Sequence, residues 1–361
     1  MPSTRRSRAA AVVSVRSGAA ISPGLAGRDR LTSVSDVFPV TSHPADHSFV
    51  DGRRKELVNA VMTMLVPGMC PVIVGARGMG KTTLAWQLAL AVEGSTEILD
   101  YLGLSAYQGP VEYFHEVVWL TCAHLKQPDG RGILDAIAER LRARREALAP
   151  DGTLATVERS TTLSFSMSPK FEYTSKSGPR VDRSDTAMPL EEEILELAAG
   201  VTAQTKHPLL FMIDDIHLAD DVQPFCSFAK NSSAVSPANP RFALVGTADR
   251  LGDLLRGSHD IGGIAASIPL HPMDDREILK LLEWGIVRLQ SMGLHLEINS
   301  SVLKSLARVS AGCPATASQL ARTAIITAER EGSTRVTRLH LDTALRDVMA
   351  GLQSTAPGRR Y

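Results

Sequence analysis

Apolar residues recur along this chain in two rhythms, and the alternation between them predicts the architecture. Leu57, Val58, Val61, Met62 and Leu65 fall at helical spacing, and Pro67-Gly68 closes that segment. Short apolar runs follow at 71–74, Glu116–Thr121, Pro208–Ile213, Arg241–Gly246 and Ala265–Leu270, the pattern of strands buried on both faces. Helical patterns separate them: Thr83–Val92, a stretch marked by Ile133, Leu134, Ile137 and Leu141, and Pro189–Gln204 with its acidic first turn. From Asp275 onward every segment reads as helix, over 275–293, 299–310, 314–331 and 338–350. Alternating strands and helices followed by a helical block predict a parallel α/β domain with a smaller α-helical domain behind it.

Two stretches lack such periodicity. Residues 1–30 carry Arg5, Arg6, Arg8, Arg16, Arg28 and Arg30 against one acid, Asp29, and a disordered basic tail through about residue 45 is expected. Its apolar centre, Ala9–Val15, is too short for a secretory signal, while an organelle transit peptide fits the composition as an alternative. Residues 150–188 are polar and rich in Ser and Thr; Thr161–Tyr173 alternates enough for a hairpin, and Thr174–Met188 reads as loop.

Composition narrows the class. The chain has 361 residues, 44% of them apolar and 22% charged, enough for a sizeable core. Its formal net charge is zero, so no global field draws it to nucleic acid or an anionic membrane. Cys70, Cys122, Cys226 and Cys313 have no C-x-x-C spacing and read as buried free thiols of a reducing, cytoplasmic compartment. No apolar run approaches the ~20 residues that span a bilayer.

The chemistry begins at residues 75–82, Gly75-Ala76-Arg77-Gly78-Met79-Gly80-Lys81-Thr82, a complete G-x-x-x-x-G-K-T phosphate-binding loop. Its glycines open backbone conformations in which successive N–H groups turn inward around phosphate oxygens. Lys81 is expected against the β- and γ-phosphates of ATP, and the Thr82 hydroxyl on Mg²⁺. A strand before the loop and a helix from Thr83 after it complete an anion site. The chain thus reads as a P-loop NTPase, a parallel α/β domain followed by a small α-helical domain. The expected division is a tail over 1–45, an ATP-binding domain over 46–272 with the 150–188 insertion, a lid over 273–354 and a tail over 355–361.

Leu209-Leu210-Phe211-Met212-Ile213-Asp214-Asp215 is an apolar strand ending in two acids. In a parallel sheet that end faces the ligand edge, which makes Asp214 the expected Mg²⁺ anchor and Asp215 the residue that orients or deprotonates water. Thr247, after the strand Arg241–Gly246, could reach the γ-phosphate or its water. His217 has no second ligand at metal spacing and reads as a supporting or surface residue. Arg140, Arg142, Arg144 and Arg145 read as a solvated face near a helix end, with DNA contact as the functional alternative.

Phe49, Gly52-Arg53, Glu56-Leu57, the phosphate loop, the Asp214-Asp215 strand, Gly246-Thr247 and Gly312-Cys313-Pro314 together resemble AAA+ ATPases, most similarly the origin-recognition-like and STAND branches. The resemblance covers about residues 46–350. It implies a five-stranded αβα sandwich with a small α-helical lid, ATP at their junction, and ATP-dependent oligomers. By that likeness Val50–Arg53 line the adenine pocket, Thr247 is the sensor-1 residue, and the sensor-2 region follows Gly312. The chain departs from the family at Asp215, where Glu is usual, and at Ala315, where a sensor-2 arginine is common; Arg322 lies two turns further along. Members carry a winged helix or sensor repeats after the lid, and neither is expected before Tyr361.

The leading expectation is an ATP-dependent switch or assembly and remodelling factor with slow hydrolysis, with DNA as one conceivable substrate. Arg250 or Arg256 would serve as a finger for a neighbouring subunit. The alternative is a nucleotide-gated interaction protein with little turnover, acting through a separately encoded effector. A small-molecule kinase would need an acceptor-site constellation that the sequence does not display.

Overall fold

The computed structural model describes Val34, Val37, Phe38, residues 52–104, 115–148, 188–233, 239–247, Leu251 and residues 261–355. Val50, Arg250, Arg256, the 150–187 stretch and the rest of the N-terminal tail lie outside the described residues, and so do the expectations placed on them.

Five strands form one parallel sheet: β1 (Cys70–Gly75), β2 (Glu116–Thr121), β3 (Leu209–Asp214), β4 (Arg241–Gly246) and β5 (Ala265–Leu270), in the order β2-β3-β4-β1-β5. Val72 pairs with Leu244 on one side and with Ser267 on the other, so β1 is an interior strand and its carboxyl end opens between β4 and β5. That is where an open α/β sheet admits a ligand. Every residue of β3 and β4 is buried, as strands covered on both faces must be.

Helices α1 (Arg54–Leu65), α2 (Lys81–Val92) and α3 (Thr96–Leu102) cover one face, with Leu57, Leu84 and Leu88 packed on Ile73 and Met212. Helices α4 (Gly130–Leu148), α5 (Leu190–Thr205) and α6 (Gln223–Ser233) cover the other. There Phe242 stacks on Phe211 at 5.7 Å and meets Phe225 edge-on at 5.5 Å.

The arginines at the end of α4 are not simply a solvated face. Arg142 pairs with Glu193 of α5 at 2.6 Å, and Arg144 pairs with Glu116 of β2 at 2.6 Å. Long side chains near a helix end found carboxylates on neighbouring elements; Arg140 and Arg145 stay exposed.

The lid comprises α7 (Asp275–Ser291), α8 (Ser300–Val309), α9 (Pro314–Arg330) and α10 (Arg338–Thr355). Asp274 caps α7 in a reciprocal box, accepting from the Arg276 and Glu277 amides while the Glu277 carboxylate accepts from the Asp274 amide. Between the helices, β6 (Glu297–Ile298) and β7 (Arg335–Val336) form a two-residue parallel ladder in the gaps left between the expected helices. Two residues are too few to leave a period in the sequence.

The disordered-tail expectation fails at Val34, Val37 and Phe38. All three are buried in the lid core, and the Phe38 amide donates to the Val34 carbonyl in a helical turn. The Phe38 ring fills the place that a side chain at Gly285 would occupy on α7. Apolar residues at i, i+3 and i+4 can share one face, which is worth burying even inside a polar context.

Candidate nucleotide site

The loop 76–80 leaves β1, an interior strand of the sheet, and enters α2. Gly78 and Gly80 sit at φ 82° and 83°, left-handed conformations that a side chain would strain. Gly80 is the N-cap of α2 and offers no side chain, so no N-cap side chain takes up the first-turn N–H groups. Lys81 begins that helix and donates from Nζ to the Ala76 carbonyl at 3.0 Å, bridging the loop mouth. Partial burial lowers its pKa, and the neighbouring Asp214 and Asp215 act against that shift. Ala76 and Arg77 are exposed, and Met79, Thr82 and Thr83 are half-buried around the loop.

Thr82 reaches across to β3. Its hydroxyl donates to Asp214 Oδ2 at 3.0 Å, while Asp214 Oδ1 accepts from the Asp215 amide at 2.8 Å. Burial pushes the Asp214 carboxyl up to about 6, with Asp215 adding to the rise and the two hydrogen bonds and Lys81 opposing it. The strained residue is Asp215 itself, at φ 54° and ψ 32°. Asp is among the few side chains that tolerate this region. Asp215 Oδ1 stands 4.0 Å from His217 Nδ1, beyond hydrogen-bond distance.

Thr247 leaves β4 half-buried, one strand over from each of Gly75 and Asp214. Lys81, Thr82, Asp214, Asp215 and Thr247 therefore share one sheet edge. The donor set suits a phosphate on the loop amides and a hard divalent cation on the Thr82–Asp214 pair. Among the described residues no group of three or more His, Cys, Asp and Glu could hold a metal, so such a cation would complete its shell with phosphate oxygens and water.

One part of the site carried no residue-type signal. The lid touches the loop through backbone: the Ala315 amide donates to the Gly78 carbonyl at 3.3 Å, and Cys313 Sγ contacts the same oxygen at 3.5 Å. Arg322 lies further along α9, and its Nε is buried without a hydrogen-bond partner. Arg53, expected against adenine, is buried and turned to main chain instead. Its Nη2 donates to the His271 carbonyl at 2.7 Å and to the Met79 carbonyl at 3.3 Å, and Nη1 pairs with Glu56 at 3.2 Å.

A family model for the AAA ATPase domain matches residues 51–237. Among solved structures, the chain is similar to Cdc6p from Pyrobaculum aerophilum, at 12% identity and TM-score 0.51, covering 87% of this chain and 71% of that one. It is similar to the Aeropyrum pernix ORC2 protein in its ADP form, at 14% identity and TM-score 0.50, covering 86% and 72%. The A. pernix ORC1 protein in complex with DNA aligns at 17% identity and TM-score 0.48, covering 87% and 69%. No curated protein matches the chain. No helix among the described residues is long and apolar enough to cross a membrane.

Proposed function

The chain belongs to the AAA ATPase domain family, and from that membership we propose that it binds ATP with Mg²⁺ at the Gly75–Thr82 loop and hydrolyses it slowly as a switch or assembly factor. The observation that carries this reading is the Thr82–Asp214 hydrogen bond beside Lys81, a cation anchor and a phosphate cradle on one edge. In this reading the loop amides and Lys81 take the β- and γ-phosphates. Bound Mg²⁺ would neutralise phosphate charge there, held by Thr82 directly and by Asp214 through water. Asp215 and Thr247 orient the attacking water, with Asp215 accepting its proton.

Two features favour low turnover. Asp215 is one methylene shorter than the usual glutamate, and the lid meets the loop through the Ala315 amide where an arginine would add charge. The second reading, a nucleotide-gated interaction protein with a separately encoded effector, rests on the same two features. A homo-oligomer fits either. DNA contact through α4 loses support, because Arg142 and Arg144 are engaged with Glu193 and Glu116. The free thiols suit a cytoplasmic setting.

Steady-state ATP turnover of the wild-type chain beside Lys81→Ala and Asp215→Asn tests the proposal. Turnover abolished by both variants supports the ATPase, and tight ATP binding without turnover moves the balance to the gated interaction protein. Unchanged ATP affinity in Lys81→Ala would sink the site.

A further inference from the structure

Gly52-Arg53 sits where three chain segments meet. One guanidinium nitrogen of Arg53 donates to Met79 in the phosphate loop and to His271 at the exit of β5. Gly52 is at φ 128°, and a Cβ there would come within 2.9 Å of Met273 Cε. The Met273 amide donates to the Gly312 carbonyl at 2.9 Å, and a Cβ on Gly312 (φ 75°) would strike the Met273 and Pro272 backbone and ring. Past Gly312, Cys313 and Ala315 close on the Gly78 carbonyl. The contacts form a ring: loop, Arg53, the 271–274 connection, Gly312, the start of α9, and the loop again.

We propose that Arg53 is a positioning residue that latches the phosphate loop to the lid's connection, so that loop geometry and lid docking are one equilibrium. Its chemistry suits the role. A buried guanidinium with one carboxylate partner, Glu56, still has donors to spare, and the two carbonyls it meets belong to segments 218 and 26 positions away. A phosphate that reshapes Met79 and Gly78 would strain the His271 contact and the Ala315 contact together, because both ends of the ring are anchored on adjacent loop residues. Close packing makes such contacts switch between discrete arrangements. Only the nucleotide-dependent half of this inference rests on the ATP reading.

The chain carries its own reporter. Cys70, Cys122 and Cys226 are buried, whereas Cys313, at the lid–loop contact, is partly exposed. The experiment is the rate of maleimide labelling of Cys313 in the full chain, read by peptide mass, with and without Mg-ATP, in wild type, Arg53→Gln and Arg53→Lys. Without nucleotide, Arg53→Gln should label about tenfold faster or more, the factor for losing one charge-assisted hydrogen bond, and Arg53→Lys should fall between. With Mg-ATP, the wild-type rate should change and the Arg53→Gln rate should not. Equal rates for wild type and Arg53→Gln without nucleotide would overturn the latch, as would wild-type labelling as fast as a free thiol. If Arg53→Gln does not fold, judged by loss of its thermal transition, Arg53→Lys decides by the same comparison. A fluorescent ATP analogue titrated in parallel reports the binding site separately: absent binding with a faster Arg53→Gln rate removes the ATP reading and keeps the latch.

Discussion

Thr82 and Asp214 are 132 positions apart, yet the Thr82 hydroxyl donates to Asp214 Oδ2 at 3.0 Å. The bond joins the first turn of α2 to the end of β3, and under the proposed function these two residues would hold one hard cation. Thr82→Ala and Asp214→Asn should therefore each cut the gain in ATP affinity on adding Mg²⁺ by about tenfold or more, the scale of one charge-assisted contact. Affinity in EDTA should change far less, since the loop amides and Lys81 remain. Fluorescence titration with and without Mg²⁺ checks this. Equal losses in both conditions would mean the pair shapes the loop and holds no metal.

Phe38 and Gly285 make a second complementary pair, one a buried ring and the other a helix position without a side chain. Glycine inside a helix costs roughly 1 kcal/mol against alanine, and here that cost admits the ring. Phe38→Ala should lower lid stability by about 3 kcal/mol through the cavity it leaves. Gly285→Ala should cost about 1–3 kcal/mol by overpacking, although alanine is the better helix former. Denaturant titration decides: a stabilising Gly285→Ala would show that the Phe38 contact is not kept in solution.

These two pairs mark what the sequence could and could not disclose. β2 and β4 were legible to the residue, because apolar runs of that length between polar turns have few other readings. The phosphate loop was legible because its glycines and lysine are demanded by type at fixed spacing, and the Asp214-Asp215 end followed from the topology of a parallel sheet. Val34, Val37 and Phe38 were not, because three apolar residues in a largely polar stretch carry too little periodicity. Nor was the lid contact: Ala315 acts through its amide, which every residue but proline has. Arg53 was singled out by its family resemblance, but its choice of carbonyl partners depends on how His271 and Met79 converge.

The Arg142–Glu193 pair offers a more modest test. Its arginine is 40% exposed and its glutamate 26%, so solvent screens most of the attraction despite the 2.6 Å separation. A double-mutant cycle on Arg142→Ala and Glu193→Ala should give a coupling of about 0.5–1 kcal/mol that shrinks in high salt. A coupling well above that would mark the α4–α5 seam as a main stabilising contact.

Glu93 makes stability depend on pH away from the nucleotide edge. It follows α2, where the helix's partial negative charge disfavours a carboxylate, and it is mostly buried beside Glu116. Burial pushes its carboxyl up to about 7, with Glu116 adding to the rise and a hydrogen bond from the Val117 amide at 3.4 Å opposing it. The folded chain thus holds this proton where the unfolded chain, with a carboxyl near its ordinary value, has released it. Between about pH 4.5 and 7 the native state binds more protons, so stability from this group is present at the acid end and is lost as pH rises through 7. The loss is on the order of 2 kcal/mol. Glu93→Gln removes the charge and keeps the shape, so it should be more stable than wild type at pH 8 and nearly equal to it at pH 5. Thermal unfolding at both pH values checks this, and a gain of the same size at pH 5 would show that Glu93 is not protonated in the folded chain.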